Sequence, residues 1–339
     1  MDIFIAILLL AVGFVALVKG ADWFVDGAAG IAEKLHVPQL IIGLTIVSFG
    51  TSAPELATSI ISAAQGSADI AIGNVVGSNI TNILLILGIA SVICPLVVQK
   101  STLRIDFPVL LGASVLILLL GGFDNQIGHL DGWFMFILSL AYMGFLVWYA
   151  IRESKKQPTM SALNAVEEEK IGVEETSKKG FGAWYDKMKE HTWFLVTITF
   201  VGLALVVVGA LYGVIPGATT IAQKIGISEK VIGLTIVAIG TSLPELVTCV
   251  IAAKKGETDI AVGDIVGSNI FNIMRTVGLS AVILPLPFQA SFWVDGLIAL
   301  GAAALLALFG YLKGHKVKRW QGIFMLVLFV LYYVYLFAV

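Results

Sequence analysis

The chain has 339 residues, 58% of them hydrophobic and 13% charged, with a mean hydropathy of +0.96. That composition excludes an ordinary soluble protein and indicates an all-α polytopic membrane protein, because its apolar runs have helix-like length. The formal net charge of -2 carries no information on partners, since charge is distributed by side of the membrane. Cys94 and Cys249 sit in apolar runs at non-equivalent places, so neither a disulfide nor a metal–thiolate site is expected.

Ten transmembrane helices are expected, at about 3–30, 39–64, 70–93, 103–121, 130–151, 193–223, 230–253, 260–284, 291–311 and 320–338. The first apolar run, Ile3 to Val18, lacks a basic start and a small-residue cleavage site, so it reads as a retained span rather than a secretory signal. Asp22 and Asp26 have no acidic counterparts in the second half, where Tyr212 and Pro216 stand. Near a helix end they read as hydrated, with Lys19 a candidate partner; drawing cations to the mouth is the alternative. Asp69 and Asp259 follow polar turns and are expected to be helix N-caps. The polar stretch 152–192 is a linker of mixed charge, and Phe181 to Met188 within it could lie flat in the headgroup layer.

Lys34, Lys100, Arg104, the basic residues of the linker, Lys254, Lys255, Lys313, Lys316, Lys318 and Arg319 fall in alternate connections, whereas the opposite set holds only Lys224 and Lys230. The basic set is expected on the cytoplasmic side of a cell membrane, with both termini outside and the linker cytoplasmic.

The chain is organised around a duplicated stretch. Gly43 to Ser59, G-L-T-I-V-S-F-G-T-S-A-P-E-L-A-T-S, recurs as Gly233 to Cys249, G-L-T-I-V-A-I-G-T-S-L-P-E-L-V-T-C. A second block, D-I-A-I-G-N-V-V-G-S-N-I-T-N-I from Asp69, recurs from Asp259 as D-I-A-V-G-D-I-V-G-S-N-I-F-N-I at the same offset of 190. The expected organisation is therefore 1–151, a five-helix repeat; 152–192, the linker; and 193–339, the second repeat. Five spans is an odd number, so the repeats must be inverted relative to one another, a pattern of secondary transporters.

Each first block places a proline and an acid, Pro54-Glu55 and Pro244-Glu245, within a lipid-like run. The proline breaks the helix, and freed carbonyls are tolerated in a membrane only against protein or a water-filled cavity. A lone carboxylate there costs about 2.5–3.5 kcal/mol on insertion scales, so the acids need a reason to be present. Thr51 and Ser52 add hydroxyls, while Asn74, Ser78 and Asn82 share one helical face, as do Asp264, Ser268 and Asn272. An oxygen shell of this kind suits a hard cation such as Na⁺ or Ca²⁺. Two buried carboxylates are costly to leave uncompensated, which ties movement of the site to ion occupancy and hence to exchange. Backbone capping is the alternative role for the two glutamates.

Two residues break the repeat: Asp264 stands against Asn74, and Arg275 against Leu85. Eleven residues of helix separate them by ~16 Å, too far for direct contact. Either each has its own local partner, or Arg275 acts as a tethered cation whose charge Asp264 balances.

At these two blocks the chain resembles the cation/calcium exchanger superfamily, in particular its prokaryotic sodium/calcium exchanger branch. The resemblance implies cation ligands at Thr51, Ser52, Glu55 and Ser78 and at Thr241, Ser242, Glu245 and Ser268. Asn82 and Asn272 complete the middle of the site, with carbonyls near Ser48 and Ala238. It also implies that the first and sixth spans slide against the other eight. The amide at Asn272, where some relatives carry an acid, argues against potassium co-transport. The expected function is Na⁺/Ca²⁺ antiport in the lipid bilayer, with the two ions as transported species, no cofactor, no enzymatic activity and no nucleic-acid partner. A proton/calcium antiporter is the first alternative and a cation channel a remote one. Gly263-Asp264 bears a slight likeness to an intramembrane aspartyl protease motif, but Ala261 and Val262 do not fit it.

Overall fold

The computed structural model describes residues 2–34, 50, 52–156, 188–189, 191–256, 258–312 and 314–338. In the first half, α1 runs Ile3–Lys34, α2 Ala53–Ala64, α3 Ala68–Ile93, α4 Thr102–Phe123 and α5 His129–Lys156. In the second, α6 covers Thr192–Ile225, α7 Glu229–Thr241 and α8 Leu243–Lys255. Next, α9 begins as Thr258–Phe271 and continues through Asn272–Val277 and Gly278–Ile283, followed by α10, Ala290–Tyr311, and α11, Arg319–Ala338. Eight of the described helices are long and apolar enough to cross a membrane, or nine with the bent pair α7–α8 counted as one span. The remaining expected span, 39–64, is described only at Gly50 and from Ser52 onward, and the proposed headgroup-layer piece lies almost wholly outside the described residues.

Helices α3 and α9, which carry the second repeated block, form the core. Their most apolar windows are 78% and 83% buried, against 28% for α1 and 22% for α5, so the lipid-facing surface belongs to the outer helices. Both central helices pass through a wide turn with i→i+5 bonding, Thr81–Ile86 in α3 and Asn272–Val277 in α9. Such turns are frequent at functional sites.

Along one flank α1 and α6 pack backbone to backbone. A Cβ on Gly202 would sit 2.5 Å from the Phe24 nitrogen, and one on Gly213 would sit 2.5 Å from the Gly13 Cα. Only glycine permits that approach, the usual device where lipid supplies no hydrophobic drive for helix association.

Four two-residue strands tie the halves together. The strand β1, Leu96–Val97, pairs antiparallel with β4, Lys316–Val317; β2, Gln126–Ile127, pairs with β3, Leu286–Pro287. The two pairings interchange under the repeat offset: Leu96 moves forward 190 residues to Leu286, and its partner Val317 moves back 190 to Ile127.

The connections sort by charge. The Val97 N–H donates to Thr258 Oγ1 at 3.1 Å, so together with the β1–β4 pairing the connections holding Lys100, Lys254, Lys316 and Lys318 gather at one end. At the other end Lys230 Nζ donates to the Ser291 carbonyl (2.8 Å) and pairs with Asp295 (2.5 Å), which is wholly buried and accepts from the Tyr332 hydroxyl at 3.1 Å. Asp69 departs from its expected role as an N-cap. The helix starts one residue earlier, after Ser67, and the Asp69 carboxylate instead accepts from Gln289 Nε2 at 3.0 and 3.2 Å. A partner 220 residues away outcompeted the local backbone. Asp22 does pair with Lys19, at 3.3 Å, and Asp26 meets Lys189 at 2.8 Å.

Candidate cation site

The prolines act as helix starters. Pro54 and Pro244 occupy the first turns of α2 and α8, where a missing N–H costs nothing, and α7 meets α8 at a bend of 48°. The next residue in each case is the acid, which places Glu55 and Glu245 in the first turn of a helix. The positive end of the helix dipole favours a carboxylate there. Both side chains are completely buried, at 0% exposure.

The two halves meet at these acids. Ser242 Oγ, from the α7–α8 break, donates to Glu55 Oε1 at 3.0 Å. Thr241 Oγ1 donates to Asn74 Oδ1 at 2.9 Å, and Asn74 Nδ2 donates in turn to the Glu55 carbonyl (3.2 Å) and to Ser59 Oγ (2.9 Å). Ser78 Oγ lies 3.4 Å from the Ala238 carbonyl, to which it donates, and 3.5 Å from Thr241 Oγ1. Glu245 is within electrostatic range of Glu55, so the acids of the two halves share one region.

The donor set fits a hard cation. Among the described residues, Glu55 Oε2, both carboxylate oxygens of Glu245, Ser52 Oγ, Ser268 Oγ, Asn82 Oδ1 and Asn272 Oδ1 are buried oxygens with no hydrogen-bond partner. Buried polar atoms normally find partners, so this concentration of unpaired oxygen is one that a bound cation would satisfy. No three His, Cys, Asp or Glu side chains gather as a metal centre among the described residues, so any ion here relies on hydroxyl, amide and carbonyl oxygens beside the two glutamates.

Of the expected site residues, Ser52, Glu55, Ser78, Asn82, Ala238, Thr241, Ser242, Glu245, Ser268 and Asn272 are all buried. Ser48 and Thr51 lie outside the described residues. The symmetry-breaking pair has local contacts: Thr248 Oγ1 donates to Asp264 Oδ2 at 3.4 Å, and the Arg275 guanidinium lies 4.8 Å from the Phe271 ring centroid.

A central amide clasp escaped the sequence reading. Asn79 Nδ2 donates to the Asn269 carbonyl and Asn269 Nδ2 to the Asn79 carbonyl, both at 3.2 Å, while Asn82 Nδ2 donates to Asn269 Oδ1 at 2.9 Å. Asn79 and Asn269 are 190 residues apart and occupy the same place in the repeated G-S-N, which was a legible signal.

Comparison with known proteins agrees with this geometry. The profile of the family described as "Sodium/calcium exchanger protein" matches residues 5–148 and 194–338, leaving out the linker. Over 98% of this chain and 98% of the relative, the sequence is 35% identical to the sodium/calcium exchanger MaX1 of Methanosarcina acetivorans. It is 37% identical to the inner membrane protein YrbG of Escherichia coli, over 83% of this chain and 81% of that one. A structure of the sodium-calcium exchanger NCX_Mj soaked with Na⁺ and Sr²⁺ superposes with a TM-score of 0.62 at 31% identity, covering 97% of this chain and 98% of that chain. A cluster of unpaired oxygens where the two halves meet, and a profile match through both of them, lead to one conclusion: this multi-pass membrane chain belongs to the sodium/calcium exchanger protein family of cation transporters.

Proposed function

We propose that the chain exchanges Na⁺ for Ca²⁺ by alternating access at Glu55 and Glu245. The observation that carries this reading is the full burial of both acids, with three of their four carboxylate oxygens unpaired among the described residues. Such a pocket is too costly to re-orient without ions, which couples the two fluxes. Ser52, Ser78, Asn82, Thr241, Ser242, Ser268, Asn272 and the Ala238 carbonyl are the proposed co-ligands, with Thr51 and the Ser48 carbonyl completing the set.

The architecture proposed for this cycle is ten spans in two inverted repeats, 1–151 and 193–339, joined by the linker 152–192. The strand pairings related by the offset of 190 and the reciprocal Asn79–Asn269 bonds support it, since both are what a two-fold axis in the membrane plane produces. The glycine seam between α1 and α6 supports these two helices as the sliding pair, because closely apposed smooth backbones offer few side-chain obstacles. The gathering of basic connections at one end supports a cytoplasmic linker with both termini outside. If three Na⁺ enter per Ca²⁺ expelled, one net charge crosses per cycle, worth about 2.3 kcal/mol per 100 mV.

The test is ⁴⁵Ca²⁺ uptake into proteoliposomes loaded with Na⁺ at fixed pH. Uptake should follow the outward Na⁺ gradient and generate a membrane potential. Uptake that ignores Na⁺ and follows a pH gradient would assign proton coupling instead, and flux without any counter-ion would make the protein a channel.

A further inference from the structure

Asp264 has no task in the mechanism above, yet it occupies the repeat position of a residue with a demanding one. Asn74, its counterpart, is fully buried and fastens the broken helix of its half, donating to the Glu55 carbonyl and Ser59 Oγ and accepting from Thr241. An ionised carboxylate cannot make the two donations. In the second half the backbone duty passes to Thr248, whose hydroxyl lies 3.1 Å from the Glu245 carbonyl, and Cys249 replaces Ser59. Asp264 thus makes neither of the donations that Asn74 makes, and among the described residues it keeps one long bond, 3.4 Å, from Thr248.

Its surroundings point to a cation. Asp264 lies one helical turn from Ser268, whose buried hydroxyl has no partner among the described residues, and Thr248 lies one turn from Glu245, whose two carboxylate oxygens have none. The Asp264 charge reaches Glu245, although the two do not form a metal cluster with any third acid among the described residues. Along α9, Asp264 stands six residues after the helix start at Thr258, between Ser268 and the connection at 256–258. That connection belongs to the basic end of the molecule. Six residues of helix is ~9 Å.

We infer that Asp264 is a relay carboxylate on one side of the site, holding a divalent cation in transit between Glu245 and the 256–258 end. The mirror position on the opposite side is the neutral Asn74, so the path is acidic on one side and neutral on the other. Resting on the proposed exchange and orientation, this asymmetry places the extra carboxylate on the face from which Ca²⁺ is collected. It makes capture tighter there without tightening release on the other face.

Ca²⁺/Ca²⁺ self-exchange in proteoliposomes tests this, because it needs no coupling ion: a failure of Na⁺ dependence in the wild type would sink the function proposed above while leaving this measurement intact. Half-saturating Ca²⁺ is measured separately from each face for the wild type, Asp264→Asn and Asp264→Glu. Asp264→Asn should raise it at least threefold from the 256–258 face and leave the opposite face unchanged, and Asp264→Glu should restore most of the loss. No change at that face, an equal change at both, or a glutamate variant as impaired as the asparagine one would each overturn the relay.

Discussion

Replacing Lys230 by methionine isolates the energetics of the buried ion pair that holds α7 to α10. In the native protein Lys230 Nζ sits 2.5 Å from an Asp295 oxygen, and the two side chains are 15% and 0% exposed. Lys230 also donates to the Ser291 carbonyl and lies 5.0 Å from the Phe292 ring centroid, so methionine keeps the packing but removes the charge. Among the described residues Asp295 would then retain only the Tyr332 hydroxyl, at 3.1 Å. Breaking a buried pair from one side costs about 3–5 kcal/mol, because the other charge stays behind in a medium that cannot solvate it. At about 2–4 °C per kcal/mol the detergent-solubilised protein should melt at least ~6 °C lower, read by tryptophan fluorescence. Adding Asp295→Asn should recover most of the loss, since the double variant buries no charge and an asparagine can still accept from Tyr332. A melting point for Lys230→Met within ~2 °C of the wild type, or a double variant no better than the single one, would refute the reasoning.

The remaining expectations concern the candidate site and the glycine seam proposed to slide. Glu245→Gln and Glu55→Gln should each lower Ca²⁺ exchange at least tenfold, about 1.4 kcal/mol or more, in a ⁴⁵Ca²⁺ flux assay, whereas Asp69→Asn, which loses only part of its contact with Gln289, should leave it within twofold. Gly202→Val would drive side-chain atoms into the Phe24 and Gly20 backbones; exchange should fall steeply while equilibrium Ca²⁺ binding is retained, as expected if α1 and α6 must slide. Asn269→Ala removes two donated or accepted side-chain bonds at the centre, to Asn79 and Asn82, and should destabilise the protein by about 1–3 kcal/mol in a melting assay, more than Asn→Ala changes at exposed sites.

The amino-acid sequence by itself determined the features that depend on neighbours along the chain. Apolar runs long enough to span a bilayer, prolines that interrupt two of them, acids placed beside those prolines and a repeat at 190 residues are all local or periodic signals. They suffice for the membrane class, the family and the pair of glutamates, because helix length, backbone breakage and the cost of a charge in lipid are settled within one segment. The tertiary structure alone decided which oxygens meet. Ser242 of one half bonds Glu55 of the other across 187 residues, and Thr241 reaches Asn74 across 167. Asp69 shows the limit most plainly. Its place after a polar turn favours an N-cap, yet packing delivered Gln289 to its carboxylate instead. Where lipid leaves helices no hydrophobic reason to prefer one neighbour, polar groups and glycine clefts select the partner. That choice is made only once all the helices are assembled.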